Sequence, residues 1–345
     1  MPAFESIFRM FWRVRNPFVF FRTPGSQRIQ LYFQEDSQNH QTTSLDLAGF
    51  VMRGFTQKNS YWYIPAEKSM FFDRPIDTPL GSKNIKLHPS ESEKINHMSL
   101  VQKAIDAIKK TNFEKVVVSH RFDCPVSHLD LVSLYLNLER QHPEALVYFW
   151  HHPQTGSWIG ATPERLLTLE GDKLQTMALA GTLPKEEIPL PWTDKEKEEQ
   201  QLVVDAIVSG LEKIYPRTAI RCSERYTKAA GHLVHLCTDI EVANATADLH
   251  RAIEILHPTP AIGGLPKAAS LSFLANNEGY DRRYYSGILG PITKDEKQLF
   301  VNLRCAEITD DHLGIYVGGG ITAASQPKNE WEEILRKSET ILRCV

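Results

Sequence analysis

Short apolar runs with a period of two fill the first 90 residues, and helical spacing sets in only afterwards. RIQLYF, LAGFVMRGF and YWYIP read as strands between turns. Leu100, Val101, Ala104, Ile105 and Ile108 then recur at the spacing of one helix face. KVVVSHRF (Lys115 to Phe122) predicts a strand, followed by a helix with Ser127 as N-cap and Leu131, Leu134, Tyr135 and Leu138 turned inward. ALVYFW predicts a buried strand, and RLLTLEGDKLQTMALAG a hairpin turning at Glu170, Gly171 and Asp172. A long helix starts near Lys195, with apolar positions Leu202, Val203, Ala206, Ile207, Leu211 and Ile214, and Pro216 ends it. There follow a strand pair across residues 225 to 240, the loop HPTPAIGGLP, and a helix with Pro266 near its first position. QLFVNLRCAEITDDHLGIYVGGGI predicts another hairpin and NEWEEILRKSET a last helix. Strands joined as hairpins, with helices between them, predict an α+β fold with antiparallel sheets.

Composition narrows the class. The 345 residues suffice for one large domain or two ordinary ones. A hydrophobic content of 42% with 23% charged residues is that of a globular protein in water. The net charge of −3 gives no pull toward nucleic acid or an anionic membrane, and no run of about 18 apolar residues offers a transmembrane helix. The N-terminal MPAFESIFRMFWRVRNPFVFFRTPG is aromatic and basic. Arginines interrupt its apolar run and no small-residue cleavage site follows, so an amphipathic packing segment is expected rather than a signal peptide. Cys124, Cys222, Cys237, Cys305 and Cys344 are scattered without C-x-x-C spacing, which predicts a reducing cytoplasm and neither a disulfide framework nor a zinc site.

Two stretches place carboxylates one helical turn apart. Glu330, Glu333 and Lys337 share a face of the last helix, apart from Trp331, Ile334 and Leu335, which mark a core face. Glu196 and Glu199 repeat the E-x-x-E spacing at the start of the long helix. Each pair reads equally as solvated surface or as helix capping favoured by the macrodipole. If the helices face each other, four carboxylates converge on a hard cation, and few all-oxygen ligands with room for water and substrate suit Mg²⁺ better than zinc.

Other positions carry chemistry only if they are buried. Lys115 opens a strand whose one face holds Val117, Ser119 and Arg121; it is an edge residue, or a general base if desolvated. Glu164 follows Gly-Ala-Thr-Pro at a fixed bend; it is a loop partner of Arg165, or a general acid if its pKa is raised. Arg304 interrupts an apolar strand in FVNLRCAEI, and a buried guanidinium needs an anion, structural or substrate. The three glycines of YVGGGITAAS lack a nucleotide-loop pattern; they and LAGT (Leu179 to Thr182) form tight turns or let backbone amides approach an anion. His235, alternating with apolar residues in GHLVHLCTDIE, reads as a core histidine, without a second histidine at metal spacing.

In chain order, KVVVS, GATPERLL, ALAGT, KEKEEQQLVV, HLVHLCT, HPTPAIGGLP, GYDRRYYSGILG, VNLRCAEI, YVGGGI and EWEEILRKSET resemble the chorismate-utilising enzymes, isochorismate synthases most of all. The resemblance covers residues 95 to 345, with residues 1 to 90 as a shortened N-terminal part of a single domain. It implies two packed antiparallel sheets flanked by helices, with Mg²⁺ and chorismate in a cleft. By the family's pattern Glu199 and Glu333 match direct Mg²⁺ ligands, and Glu196 and Glu330 match carboxylates that hold the metal's waters. Tyr285 and Arg304 match residues on the enolpyruvyl carboxylate, while Gly181, Thr182, Gly319 and Lys337 match further substrate contacts. His235 and Thr238 line the same cleft in relatives.

The resemblance also separates the reactions. Anthranilate synthases carry glutamine where Lys115 stands, and aminodeoxychorismate synthases carry a lysine where Ala180 stands. Both positions imply water as nucleophile: Lys115, neutral at the moment of attack, takes a proton from water adding at C2, and Glu164 protonates the departing 4-hydroxyl. Isochorismate for menaquinone is the implied product. Salicylate synthase, siderophore supply and a chorismate sensor without turnover are the alternatives, and neither a glutaminase subunit nor an oligomer is expected. The chain departs from the pattern at Gln200, where relatives commonly have histidine, and at His120, where arginine is frequent.

Overall fold

The computed structural model describes residues 4–74, 85–111, 113–126, 128–184, 192–230, 233–245 and 249–345. Among them are seven α-helices: α1 (Phe4–Val14), α2 (Glu91–Lys110), α3 (Leu131–Gln141), α4 (Asp194–Leu211), α5 (Leu249–Leu256), α6 (Lys267–Asn277) and α7 (Pro327–Leu342). The strands form two sheets in which every described pairing is antiparallel. The first sheet has nine strands in the spatial order Gly264–Leu265, Lys115–Pro125, His312–Ile321, Cys305–Ile308, Gly156–Thr162, Leu146–His152, Phe18–Arg22, Arg28–Phe33 and Ser69–Asp73. In the second, Leu233–Val242, Lys173–Pro184, Arg165–Glu170, Glu296–Val301, Ile288–Ile292 and Gly49–Arg53 are successive neighbours.

Strand alternation explains the layers. In Phe18–Arg22 every residue is buried. Phe20 turns toward α1 and stacks on Phe8 at 4.9 Å, while Phe21 turns toward the second sheet and meets Phe50 at 5.0 Å. The aromatic N-terminus is thus an amphipathic helix docked on the first sheet through Phe4, Ile7, Phe8 and Phe11. Its following strands complete the outer half of both sheets.

Several local readings change in the fold. Ser127 lies outside the described residues, and Asp130 is the N-cap of α3. Leu202 is exposed, because the buried stripe of α4 runs through Val203, Val204, Ile207 and Leu211. The helix ends at Leu211, ahead of Pro216, and Pro266 is the N-cap of α6 rather than its first residue. Only the CAEI end of QLFVNLRCAEI is a hairpin arm: Cys305–Ile308 pairs with His312–Ile321 in the first sheet, whereas Glu296–Val301 belongs to the second. Arg304 therefore sits where the chain crosses between sheets, with φ at +48°, and does not interrupt a strand.

A buried ion pair fixes one end of the first sheet. Arg22 Nε donates to Glu139 Oε2 at 2.5 Å, and its other nitrogens donate to the carbonyls of Thr23, His142 and Pro143. Both side chains are buried. Glu139→Gln, which leaves the guanidinium uncompensated, is expected to cost about 3–5 kcal/mol in urea unfolding; a loss below about 1 kcal/mol would show that water solvates the pair.

Candidate active site

The cleft forms where the first sheet's Lys115 and His312–Ile321 strands meet α7 and the N-terminal half of α4, which packs on the second sheet. Glu196 and Glu199 enter it from α4, and Glu330, Glu333 and Lys337 from α7. The two E-x-x-E helices do face each other across one cavity.

Their carboxylates already have partners. Lys115 Nζ donates to Glu199 Oε1 at 2.6 Å, and Lys337 Nζ pairs with Glu333 Oε1 at 2.7 Å. Lys337 Nζ also donates to Gly318 O at 2.8 Å. Glu196 Oε2 accepts from Thr193 N at 3.0 Å and from Thr193 Oγ1, so the capping reading holds for this residue even though it lines the cleft. Among the described residues no three acidic, histidine or cysteine side chains stand close enough to hold a metal by themselves. The donor set is all carboxylate oxygen, which fits a hard cation that keeps waters and takes further oxygens from a substrate.

Burial governs the remaining groups. Glu164 lies between Gly156–Thr162 and Arg165–Glu170, with its carbonyl accepting from Val301 N at 3.0 Å. It is 4% exposed, and desolvation raises its pKa from 4.5 to about 7 against a hydrogen bond donated by Thr259 Oγ1 at 3.3 Å. His235 is driven down to about 3 by burial and by the nearby Arg304 cation, so the ring is neutral. Its Nδ1–H donates to Gly181 O at 2.7 Å, leaving Nε2 to accept from Arg304 Nη2 at 3.2 Å. Arg304 also donates to Thr340 Oγ1 at 3.2 Å, and burial lowers its pKa to about 10. Among the described residues no carboxylate stands within ion-pair distance of it, although the charges of Glu333 and Glu164 act on it from further off.

The glycines make room. Gly318, Gly319 and Gly320 lie inside the strand His312–Ile321, paired with Ser119, Val118 and Val117, and form no turn. A Cβ at Gly318 would stand 2.7 Å from Tyr285 Oη, and one at Gly320 2.9 Å from Lys115 Cε. At Gly319 it would face Glu330 Oε2 at 3.5 Å. Gly181 has φ at +70° in a bulge of the strand Lys173–Pro184, which re-aims its carbonyl at His235.

Of the site residues read from sequence, Lys115, Glu164, Gly181, Glu196, Glu199, His235, Tyr285, Arg304, Glu330, Glu333 and Lys337 line this cavity, and Gly319 backs it. Thr182 lies in the strand Lys173–Pro184, and its side chain is outside the described residues. Thr238 is placed elsewhere: an odd separation from His235 turns it to the other face of their strand. There its Oγ1 accepts from the buried Gln200 Nε2 at 2.9 Å, while Gln200 Oε1 accepts from Arg225 Nε at 2.6 Å. Gln200 thus anchors α4 to the sheet beside Glu199. Thr259 carries no motif in the sequence; its one signal is the pair of prolines around it in HPTPAIGGLP.

Comparison with known proteins gives the family. The salicylate biosynthesis isochorismate synthase of Pseudomonas aeruginosa is 30% identical over 72% of this chain and 54% of its own, so this chain spans about half of that relative's length. Isochorismate synthase EntC of Escherichia coli is 28% identical over 76% of this chain and 70% of its own. In fold, the chain is similar to MenF, the menaquinone-specific isochorismate synthase from Escherichia coli, with a TM-score of 0.79 at 20% identity, covering 95% of this chain and 89% of that one. The chorismate binding enzyme family matches residues 37–345, nearly the whole length, and the chain belongs to that family.

Proposed function

We propose that this protein is an isochorismate synthase, converting chorismate to isochorismate by adding water at C2 and releasing the 4-hydroxyl. The observation that carries the reading is the cleft that holds Glu164, with its raised pKa, together with Lys115. A carboxylic acid still protonated near neutrality can give its proton to a departing hydroxyl. Lys115 leaves its pair with Glu199, loses its ammonium proton to solvent, and as the neutral amine takes a proton from the attacking water. The ring double bonds shift, the C4–O bond breaks, and Glu164 supplies the proton with which the hydroxyl departs as water. One water enters and one leaves, so the reaction is an isomerisation.

Arg304 and Tyr285 hold the enolpyruvyl carboxylate, and the neutral His235 fixes the guanidinium from behind. Glu199 and Glu333 would hold Mg²⁺, with Glu196 and Glu330 on its waters. When bound, Mg²⁺ supplies charge neutralisation and an anchor for the ring carboxylate. Gly181, Thr182, Gly319 and Lys337 complete the substrate contacts. Ala180 leaves no amine where aminating relatives place one, which favours water as nucleophile and a chain that acts without a glutaminase. We further propose a monomeric cytoplasmic enzyme serving menaquinone synthesis.

Incubation with chorismate and Mg²⁺, with and without ammonium, is expected to give isochorismate alone, abolished by a chelator and by Lys115→Ala. Chromatography that shows salicylate with pyruvate would mean a lyase, and anthranilate formed only with ammonium would refute water as nucleophile. Glu164→Gln is expected to lower kcat by about 100- to 10,000-fold, and the parent's kcat to fall as pH rises past about 7, where the acid loses its proton. The same group affects stability. Its folded pKa exceeds the ordinary 4.5, so stability is lost as pH rises from there through about 7. Urea unfolding should therefore find Glu164→Gln about 1–3 kcal/mol more stable than the parent at pH values above about 7, and equal to it below about 4.5.

A further inference from the structure

Behind the loop that carries Thr259 lies a second cavity of about 850 Å³, whose wall includes Arg53, Phe55, Pro258, Lys267, Leu271 and Leu274. That is room for one small organic molecule. Arg53 is 5% exposed, and its Nε has no hydrogen-bond partner. Its other nitrogens make only long contacts, 3.3 Å to Tyr61 Oη and 3.4 Å to His257 Nδ1. His257 Nε2–H donates to Ser286 O at 2.8 Å, so Nδ1 is an acceptor and brings no negative charge. Among the described residues no carboxylate is within ion-pair distance of Arg53.

Lys267 adds a second cation, with Nζ donating to the carbonyls of Glu254 and His257 at 2.6 Å each. Burial and the neighbouring Arg53 push its pKa down to about 8. Glu278 is consumed by Arg282 at 2.7 Å; Glu254, Asp281 and Lys58 also border the cavity, and the first two are exposed. Glu254 acts on both cations at longer range, but among the described residues no carboxylate pairs with this desolvated guanidinium or the ammonium beside it.

We propose that this cavity binds a small organic anion, a carboxylate on an apolar, ring-sized body, with Arg53 and Lys267 on the carboxylate and Phe55, Leu271 and Leu274 against the body. The site also bears on catalysis, because the two cavities share a wall. Pro258 faces the second cavity, Thr259 donates to Glu164, and Ala261 and Ile262 line the catalytic cleft. Arg282, with its guanidinium 4.6 Å over the Phe55 ring, donates to Ile262 O at 3.0 Å and to Val117 O at 2.6 Å. A ligand packed on Phe55 and Pro258 presses on the segments that hold Glu164 and Lys115, so its occupancy alters kcat. This coupling rests on the proposed catalytic roles; the binding site does not.

The test is titration calorimetry of the full chain with benzoate as probe, with and without saturating chorismate. Binding is expected in both, weakened about tenfold or more in Arg53→Met and in Lys267→Met, and unchanged in Arg304→Met. Competition by chorismate, or loss of binding in Arg304→Met, would put benzoate in the catalytic cleft and overturn the proposal. So would the absence of binding up to about 10 mM. Should Arg53→Met fail to fold, Lys267→Met decides. Turnover at saturating chorismate then reads the coupling: a kcat changed by benzoate supports it, and an unchanged kcat with binding intact overturns it. Failure of the catalytic reading is distinct, since it shows as no turnover with or without benzoate.

Discussion

Lys115 Nζ and Glu199 Oε1 meet at 2.6 Å, and this contact joins the two layers of the molecule where its chemistry is proposed. Lys115 comes from a strand of the first sheet, Glu199 from a helix packed on the second. Lys115 is 3% exposed, so removing the Glu199 carboxylate would leave its ammonium desolvated. The neighbouring strand is shaped around the pair, with glycine at 320 because a Cβ would collide with the lysine stem. The proposed base and the proposed cation ligand are thus held against each other, each satisfying the other's charge.

One environment sets three protonation states in the same cleft. Desolvation penalises whichever form is charged. It raises Glu164 to about 7, which makes the acid protonated near neutrality. It lowers His235 to about 3, which makes the ring an acceptor for Arg304. It lowers Arg304 only to about 10, because a guanidinium starts so high, and the cation survives. A neutral acid, a neutral hydrogen-bond relay and a positive anion site therefore follow from one low-dielectric pocket.

The segment from His257 to Leu265 is the hinge between this cleft and the cavity around Arg53. Its one face carries the threonine bonded to Glu164, and its other closes on a guanidinium that no described carboxylate neutralises. Two proline residues and two glycines give that segment a fixed, close-packed path, with Gly264 at φ +134° lying against the backbone of Lys115. The segment thus touches both Glu164 and the strand that carries Lys115.

Sequence alone determined what local backbone geometry determines. Period-two runs and turn residues gave the antiparallel strands, and period-3.6 stripes gave the helices, because both periods are properties of a few consecutive residues. The E-x-x-E spacing fixed that Glu196 and Glu199 share a face, as do Glu330 and Glu333. Strand parity turns His235 and Thr238 to opposite faces, which conflicts with the placement of both in one cleft that the resemblance implies. What only the tertiary structure decided was convergence and burial. α4 and α7 are far apart in the chain, and the packing of two sheets brings them together. The crossing at Asn302 to Arg304 looks like a continuous strand in sequence, because residues on either side are apolar in both sheets. Glu164 is an ordinary carboxylate until all its neighbours exclude water, and that exclusion is a property of the packed layers, not of any stretch of residues.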